Sequence, residues 1–523
     1  AAQRSLGAAV ELGYVDGPKE HRQLLLDLAK ASEGCGDVAA ARELLVEIIR
    51  LSEAAGDDDL VVDAAIRSAL LPDWRAGDRR AAALIDLAER LHGDGPRAGA
   101  VMAARAIVEM RIPASSEDVP QVAWVTRPDV AQPIARRALE LTDGHRTPDR
   151  LVALGAWRWT HRGPGDLEQR LAVSQEAVEL AQRLLDHSAL VDSAVALAVD
   201  QLEAGDRAEY DESVATIRWA AATDRNPRLR WWAATVSAGA ALLDGDLDTA
   251  TRHRMDAHAL GAEHDLPGWV AAEMLLAAEM SLELRDPDDL RGYLVPSDSP
   301  ILTSPIARSS VAFMAALLEE PEVSSQHGRI ALRAVDEESS YLLCLSLLSR
   351  AAATSGDVDL GADCERLLAP WAGHVAVDAG GWWCSGPVDL RLAELAVLAG
   401  DVGRAEQHLE VAEPAIRAAG DVRSAAAVEL LRRRLGSPAP TSQRRTPSHR
   451  QVEGLQALSD RERDVLVLIA QGHTNAAIGT RLSYSASTIR ADTVSIYRKI
   501  GVKGRAEAAA LAVSAGLADR HLP

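Results

Sequence analysis

Residues 458–517 read LSDRERDVLVLIAQGHTNAAIGTRLSYSASTIRADTVSIYRKIGVKGRAEAAALAVSAGL, and this stretch decides how the C-terminal part of the chain folds. Ser459 and Glu462 have the spacing of a capping box, in which each side chain binds a free backbone amide at the start of a helix. Apolar side chains then recur at helical spacing, namely Val465, Leu466 and Ile469. The pattern predicts an amphipathic helix that begins at Ser459.

The signals that follow predict two more helices with a tight turn between them. Gly472 is suited to end the first helix, and Thr474 is suited to cap a second, short helix. The turn at residues 483–485 leads into a third helix that runs to about Ile500. Two helices joined by a short turn, of which the second is longer and basic at its end, are typical of a helix-turn-helix.

Helical spacing gives the third helix two different faces. The inward face is predicted to hold Ile489, Thr493, Ile496 and Ile500. The opposite face, called here the DNA-facing strip, carries Ser487, Arg490, Ala491, Val494 and Arg498. Small side chains let such a face enter the major groove of double-stranded DNA, where Arg490 can donate two hydrogen bonds to guanine. We therefore predict base contacts from Ser487, Arg490, Ala491 and Val494; the alternative is a helical cap with a solvated charged face.

Polar and basic side chains around this helix are predicted to bind phosphates, which fix position but carry no sequence information directly. The predicted phosphate contacts are Thr474, Asn475, Thr488, Arg498, Lys499, Lys503 and Arg505. Asp492 lies on the same helix, and a carboxylate near DNA costs affinity unless a cation neutralises it. We expect Asp492 either to turn away from the groove or to pair with Arg481 or Arg490.

On these residues the segment resembles the LuxR-type helix-turn-helix domain of bacterial transcription regulators. The matching positions are Leu458, Arg461, Glu462, Val465, Leu466, Gly472, Asn475, Ile478, Leu482, Ser485, Thr488, Ile489, Lys499, Gly501, Val502 and Arg505. The resemblance implies a four-helix domain whose last helix, here about residues 505–515, commonly forms a dimer contact. Three positions depart from the family pattern: Ala477 stands where an acidic residue is usual, Gly479 where alanine is usual, and Asp492 where histidine is common.

Charge divides the chain into two unequal parts. The whole chain carries a net charge of −21. From Arg444 onward there are 12 Lys/Arg and 7 Asp/Glu, a net charge of +5, so residues 1–443 carry −26. This asymmetry is typical of a basic DNA-binding module attached to an acidic body that repels DNA. Because +5 is a modest charge, we expect a homodimer to bind DNA much better than a monomer.

Between residues 1 and 435 the sequence of almost every segment is typical of a helix. The positions at which one predicted helix ends and the next begins recur at regular intervals. Aspartates recur every 40 residues at Asp166, Asp206, Asp246 and Asp286, and the first three follow a glycine. Further glycine–aspartate pairs begin at residues 36, 56, 77, 356, 400 and 420. Glycine in the left-handed conformation ends one helix, and aspartate caps the next. The period predicts an array of helical hairpins that resembles tetratricopeptide repeats, although it is longer.

Such an array forms a superhelix whose concave face binds proteins, peptides or small ligands; the alternative is a purely structural spacer. Most of the eleven tryptophans are expected in the core. Residues 380–387, GGWWCSGP, interrupt the helical pattern and are predicted to form a loop on the ligand face. Residues 436–454 contain three prolines and little periodicity, so they are predicted to be a flexible linker. The predicted fold is all-α: a repeat array over 1–435, the linker over 436–454 and a DNA-binding domain over 455–523.

Several other classes of protein are disfavoured by motifs that the sequence lacks. No glycine is followed by lysine, which excludes a P-loop in these residues, and no metalloprotease, serine-hydrolase or EF-hand motif occurs. We therefore predict no enzyme activity and no cofactor. Four scattered cysteines fit reduced thiols in the cytoplasm, and Cys364, His374 and Cys384 lack the close spacing of metal ligands. No apolar run is long enough to predict a membrane span.

These patterns predict a cytoplasmic bacterial transcription regulator that binds DNA through its tail. The repeats are predicted to bind a protein or small-molecule effector and to control dimerisation. One alternative is a scaffold protein in which the repeats carry the function and the tail is vestigial. Another follows from a resemblance, because helical repeats before such a tail are similar to the C-terminal half of the large ATP-binding LuxR-family regulators. The chain begins at Ala1 without a methionine, and under this alternative we expect an ATPase upstream.

Overall fold

The computed structural model describes residues 17–71, 79–92, 94–110, 128–163, 165–224, 226–266, 268–284, 290, 291, 294, 299, 302, 305–335, 341–378, 383–436, 454–471, 473, 475–502, 508, 509, 511, 512, 515 and 517. Within these residues the fold is helical apart from one short β-hairpin, so the predicted all-α class is confirmed. The predicted linker lies outside the described residues except for its two terminal glycines.

The segment up to residue 435 consists of consecutive helices. Its first ten are α1 Pro18–Gly34, α2 Val38–Ala55, α3 Asp58–Leu70, α4 Arg79–His92, α5 Ala98–Glu109, α6 Pro128–Leu141, α7 Pro148–Thr160, α8 Leu167–Leu184, α9 His187–Glu203 and α10 Arg207–Thr223. The next are α11 Pro227–Leu243, α12 Leu247–His264, α13 Trp269–Leu284, α14 Pro305–Leu317, α15 Pro321–Ala334, α16 Tyr341–Ser355, α17 Val358–Leu368, α18 Val388–Leu398, α19 Val402–Ala419 and α20 Val422–Leu435. A 3₁₀ turn, Ala369–Trp371, and strands β1 Val375–Val377 and β2 Cys384–Pro387 separate α17 from α18.

Glycine–aspartate pairs end one helix and begin the next, as the sequence predicts. The glycines at 36, 205, 245, 356, 400 and 420 have φ between 64° and 87°, the left-handed region that favours glycine. The aspartate after each of them accepts a hydrogen bond from an amide in the first turn of the following helix. Two aspartates differ. Asp166 accepts from the amide of Gly163 instead, and Asp57, which follows the left-handed Gly56, makes no capping hydrogen bond and pairs with Arg22 at 2.9 Å. The predicted breakpoints at Gly77 and Asp286 lie outside the described residues.

Consecutive helices pack against each other and form two layers. Helices α9 and α11 are buried on nearly every side, contact each other and form part of the inner layer. Helices α10 and α12 lie outside them and expose large apolar side chains, Trp219 at 58% and Met255 at 63%. This alternation of buried and amphipathic helices is typical of stacked helical hairpins.

Helices far apart in sequence also meet in this segment. Helix α11 contacts both α1 and α20, and β1 contacts α9. Arg423 of α20 donates a hydrogen bond of 3.0 Å to Glu279 of α13, although 144 residues separate them. Arg350 of α16 also pairs with Glu279. The hairpins therefore wind into a superhelix whose turns touch, and its inner side is filled at these points.

The predicted loop at residues 380–387 is wrong where the structure describes it. β2 pairs antiparallel with β1, with Val375 opposite Pro387. Trp383 is 1% exposed, and its ring centroid lies 5.9 Å from the guanidinium carbon of Arg350. Residues 383–387 therefore belong to a buried hairpin, because β2 pairs with β1 and its residues are buried.

The core holds half of the described tryptophans and most of the thiols. Of the eight described tryptophans, three are half-buried, Trp219 is exposed, and the buried ones are Trp157, Trp231, Trp371 and Trp383. Three thiols are buried, Cys344, Cys364 and Cys384, while Cys35 is half-buried. Burial raises the pKa of the Cys364 and Cys384 thiols to about 12. Among the described residues, no group of histidines, cysteines and carboxylates could hold a metal ion. No described helix combines the length and apolarity that a membrane crossing requires.

Candidate nucleic-acid interface

The C-terminal domain begins with helix α21, Asp460–Ala470, and the predicted capping box is confirmed. The Ser459 hydroxyl accepts a hydrogen bond of 3.2 Å from the amide of Glu462. The Ser459 amide donates one of 2.8 Å to the Glu462 carboxylate. Because both interactions lie within four residues of sequence, the start of the helix was readable from the spacing alone. The predicted roles of Gly472 and Thr474 fall on residues outside those described.

A short helix, a turn and a longer helix follow. Helix α22 covers Asn475–Leu482, and helix α23 covers Ala486–Ile500. Ser483 in the turn has a φ of 62°, and the Ser485 hydroxyl accepts from the amide of Thr488, at 3.1 Å, to cap α23. Gly501, with a φ of 67°, ends the helix. The helix-turn-helix predicted from the sequence is thus present, and its second helix ends at Ile500 as expected.

The inward face of α23 is the centre of the domain core. Ile489, Ile496 and Ile500 are fully buried, and the buried hydroxyl of Thr493 donates to the carbonyl of Ile489 at 2.7 Å. They share one cluster with Leu458, Val465, Leu466, Ile469, Ile478, Ala508, Leu511 and Ala512. Three of these, Ala508, Leu511 and Ala512, fall where the resemblance implies a fourth helix. The packing holds α23 in one orientation about its own axis, so its opposite face is turned outward.

The structure describes part of the DNA-facing strip. Ala491 and Arg498 are exposed. The side chains of Ser487, Arg490 and Val494 lie outside the described residues, but their backbone positions belong to α23. Their place on the face opposite the buried isoleucines follows from helical spacing. The base contacts assigned to the strip remain predictions.

The structure places the residues predicted to contact phosphates in different environments. Arg498 is exposed and Thr488 is half-buried at the start of α23. Asn475 is only 2% exposed and makes contacts within the domain, so its side chain is a poor candidate for a phosphate contact. Thr474, Lys503 and Arg505 lie outside the described residues.

Lys499 is held by Glu462, a pairing that the sequence analysis missed. Its ammonium group donates to both carboxylate oxygens, at 2.8 and 2.7 Å. The Ser495 hydroxyl donates to the same carboxylate at 3.0 Å. Burial favours the neutral acid, but Lys499, Ser459 and Ser495 outweigh it and lower the pKa of Glu462 to about 2. Lys499 therefore ties α23 to α21, which makes it a weaker candidate for phosphate than Arg498.

Asp492 is buried against α21 and pairs with Arg461, neither of the two cations expected from the sequence. Its side chain is 10% exposed, and its Oδ1 accepts from the Arg461 guanidinium at 2.5 Å. The same guanidinium carbon lies 5.0 Å from the ring centroid of Tyr484. Asp492 and then Tyr484 raise the pKa of Arg461. Because the partners are 31 residues apart, only the packing of α23 on α21 could reveal them.

Comparisons with known proteins agree with this geometry. Residues 456–512 match the family model described as bacterial regulatory proteins, luxR family. The chain is 38% identical over 65 residues to a protein of Escherichia coli (strain K12) described as HTH-type transcriptional regulator YhjB, which covers 12% of this chain and 32% of that protein. It is 42% identical over 60 residues to a protein of Hyphomicrobium methylovorum described as transcriptional regulatory protein SgaR, covering 12% and 28%. The matches span about a third of each relative.

Two solved structures resemble the helical array weakly. One is from the APC/C hetero-tetramer Cut9-Hcn1, at 12% identity with a TM-score of 0.41, covering 80% of this chain and 77% of that one. The other is yeast Tom70, at 12% identity with a TM-score of 0.28, covering 83% and 92%. The hairpin architecture rests on the helix contacts described above. The C-terminal segment is a LuxR-type helix-turn-helix domain.

Proposed function

We propose that this chain is a sequence-specific DNA-binding transcription regulator. The observation that carries the proposal is the orientation of α23: its isoleucines are fully buried, so the face bearing Arg490 and Arg498 is directed outward from a LuxR-type domain. A helix so presented fits the major groove, which is about 12 Å wide. Arg490 is assigned to a guanine edge, and Arg498 to a phosphate.

The proposed organisation has three parts. Residues 1–435 form a sensing array, residues 436–454 a flexible linker and residues 455–523 the DNA-binding domain. The net charge of −26 on residues 1–443 supports a body that stays off DNA while the +5 tail binds it. The array binds a protein or small-molecule effector and controls homodimerisation of the tail, as expected for stacked helical hairpins. A cytoplasmic location follows from this role.

A scaffold role for the repeats is the competing proposal. Two features favour it, namely the modest +5 charge of the tail and the carboxylate of Asp492 on the DNA-binding helix. That carboxylate is buried and matched by Arg461, so it does not present an uncompensated negative charge to DNA. The structure therefore removes one reason for preferring the scaffold.

The test of the proposed function is selection of duplex DNA from random sequence with the intact chain, followed by footprinting on the selected sequences. We expect one enriched sequence and a protected footprint whose affinity falls steeply as salt is raised. A stable protein partner in pull-downs, together with no enriched sequence and no footprint at low salt, would instead establish the scaffold role.

A further inference from the structure

We propose that Arg461, on α21 rather than on the helix-turn-helix, contacts a DNA phosphate and that Asp492 and Tyr484 hold it in place for that contact. The inference rests on the proposed function, because it concerns how the same domain meets DNA. It adds a residue of the first helix to the interface and gives a positioning role to the residue that departs from the family pattern.

The first step concerns where Arg461 lies. Asp492 and Lys499 are seven residues apart, which is two helical turns, so they share one flank of α23. On α21, Arg461 pairs with Asp492, and the neighbouring Glu462 pairs with Lys499. A helix about 10–12 Å across nearly fills a major groove about 12 Å wide, so each flank approaches a wall of phosphates. Because α21 covers this flank, the exposed Arg461 in the first turn of α21 is the side chain that meets the wall on that side.

The second step concerns how Arg461 is held. One terminal nitrogen donates to Asp492 Oδ1, and the guanidinium carbon lies 5.0 Å from the Tyr484 ring centroid. Tyr484 belongs to the turn that precedes the DNA-binding helix and is 43% exposed. An arginine held by a hydrogen bond at one terminal nitrogen and by an aromatic ring against its face loses less side-chain entropy on binding than a mobile one. Asp492 and Tyr484 therefore hold the Arg461 side chain in position before DNA binds.

The third step concerns what remains available on Arg461. Its side chain is 43% exposed, whereas that of Asp492 is 10% exposed. A guanidinium has five N–H donors in a planar fork. Asp492 therefore binds Arg461 from the buried side and leaves a large part of the fork facing solvent. A phosphate can be bound on that side without breaking the pair, which avoids leaving the Asp492 carboxylate buried and uncompensated.

The test measures affinity of the intact chain for one short selected duplex over a range of salt concentrations. Arg461→Ala should weaken binding about tenfold and reduce the salt slope by about 0.9, the value for one phosphate contact. Arg461→Lys should retain the slope with an intermediate affinity, because it keeps the charge but not the planar fork. Arg463→Ala, on the same helix two residues away, is the matched control and should leave affinity and slope unchanged.

Removing Arg461 alone leaves the buried carboxylate of Asp492 without its cation, which could destabilise the fold. A second variant therefore removes both charges. Arg461→Ala with Asp492→Asn removes both charges and keeps the net charge of the domain. If Arg461 contacts phosphate, this charge-neutral variant also loses about 0.9 from the slope. Asp492→Asn alone should weaken binding about threefold although it removes a negative charge, because Arg461 is no longer held.

The outcomes separate this inference from the proposed function. A wild-type chain that binds the selected duplex, with a double variant whose slope equals that of the wild type, overturns the phosphate contact alone. Tighter binding by Asp492→Asn overturns the positioning role, since the carboxylate would then only repel DNA. A wild-type chain that binds no duplex overturns the proposed function and this inference together.

Discussion

Replacing Glu462 with glutamine should destabilise helix α21, the first helix of the DNA-binding domain, against α23. The carboxylate is 6% exposed and accepts from Lys499, Ser495 and the Ser459 amide at 2.7 to 3.0 Å. Glutamine keeps the shape of the side chain but removes the charge that these donors bind. The α21–α23 contact would lose the charge-assisted hydrogen bonds of Glu462 and retain the Arg461–Asp492 pair and the apolar core.

The magnitude follows from the pKa. Burial opposes ionisation of Glu462, yet its donors, led by Lys499, lower its pKa from the ordinary 4.5 to about 2. At about 1.4 kcal/mol per pH unit, this difference corresponds to about 3 kcal/mol of stabilisation of the folded domain. Because Lys499 is about one-third exposed, water screens part of the attraction. We expect a loss of about 2 kcal/mol on substitution.

Hydrogen exchange of the intact chain, followed by mass spectrometry on peptides that cover α21, measures this loss. A change of about 2 kcal/mol in the opening free energy gives about 30-fold faster exchange in α21. Asp460→Asn is the matched control, because that carboxylate lies in the same helical turn and is fully exposed. It should change exchange by less than about threefold. Equal effects of the two substitutions, or an unchanged rate for Glu462→Gln, would refute the reasoning.

Three further predictions follow from other parts of the structure. Because the folded pKa of Glu462 is depressed, its stabilisation is complete above about pH 4.5 and is lost as the pH falls towards 2, so acid should lower the opening free energy of α21, after division by the intrinsic exchange rate at each pH, more in the wild type than in Glu462→Gln. Leu185 is 83% exposed with a φ of 55°, so Leu185→Gly should stabilise the array by about 0.5–1 kcal/mol in thermal unfolding, whereas Leu185→Ala should not. Ile496 is fully buried, so Ile496→Ala should destabilise the domain by about 2–5 kcal/mol, measured by exchange in α23, with the surface change Ile330→Ala as control.

Local signals in the sequence predicted the local structure well. The capping box at Ser459, the left-handed glycines before helix-capping aspartates and the buried isoleucines of α23 each depend on residues within one or two helical turns. Spacing alone therefore located them. The hairpin array was predicted from the same glycine–aspartate helix boundaries, which recur along the chain.

Contacts between distant segments could not be predicted in this way. Arg461 pairs with Asp492 across 31 residues, Lys499 with Glu462 across 37, and Arg423 with Glu279 across 144. Each depends on how whole helices pack, which helical periodicity does not determine. The β-hairpin at β1 and β2 was missed for the same reason, since its glycines and tryptophans suggested a loop until its pairing partner was known.

The central claim is that α23 reads bases through Arg490, and the most direct measurement is the affinity of Arg490→Ala for paired duplexes. One duplex carries the selected sequence, and in the others each guanine is replaced in turn. Wild-type protein should lose about 1–3 kcal/mol, about 5- to 160-fold, at one guanine, and Arg490→Ala should bind the original and that replacement equally. If Arg490→Ala discriminates between the duplexes as well as the wild type does, the account of the DNA-facing strip is contradicted.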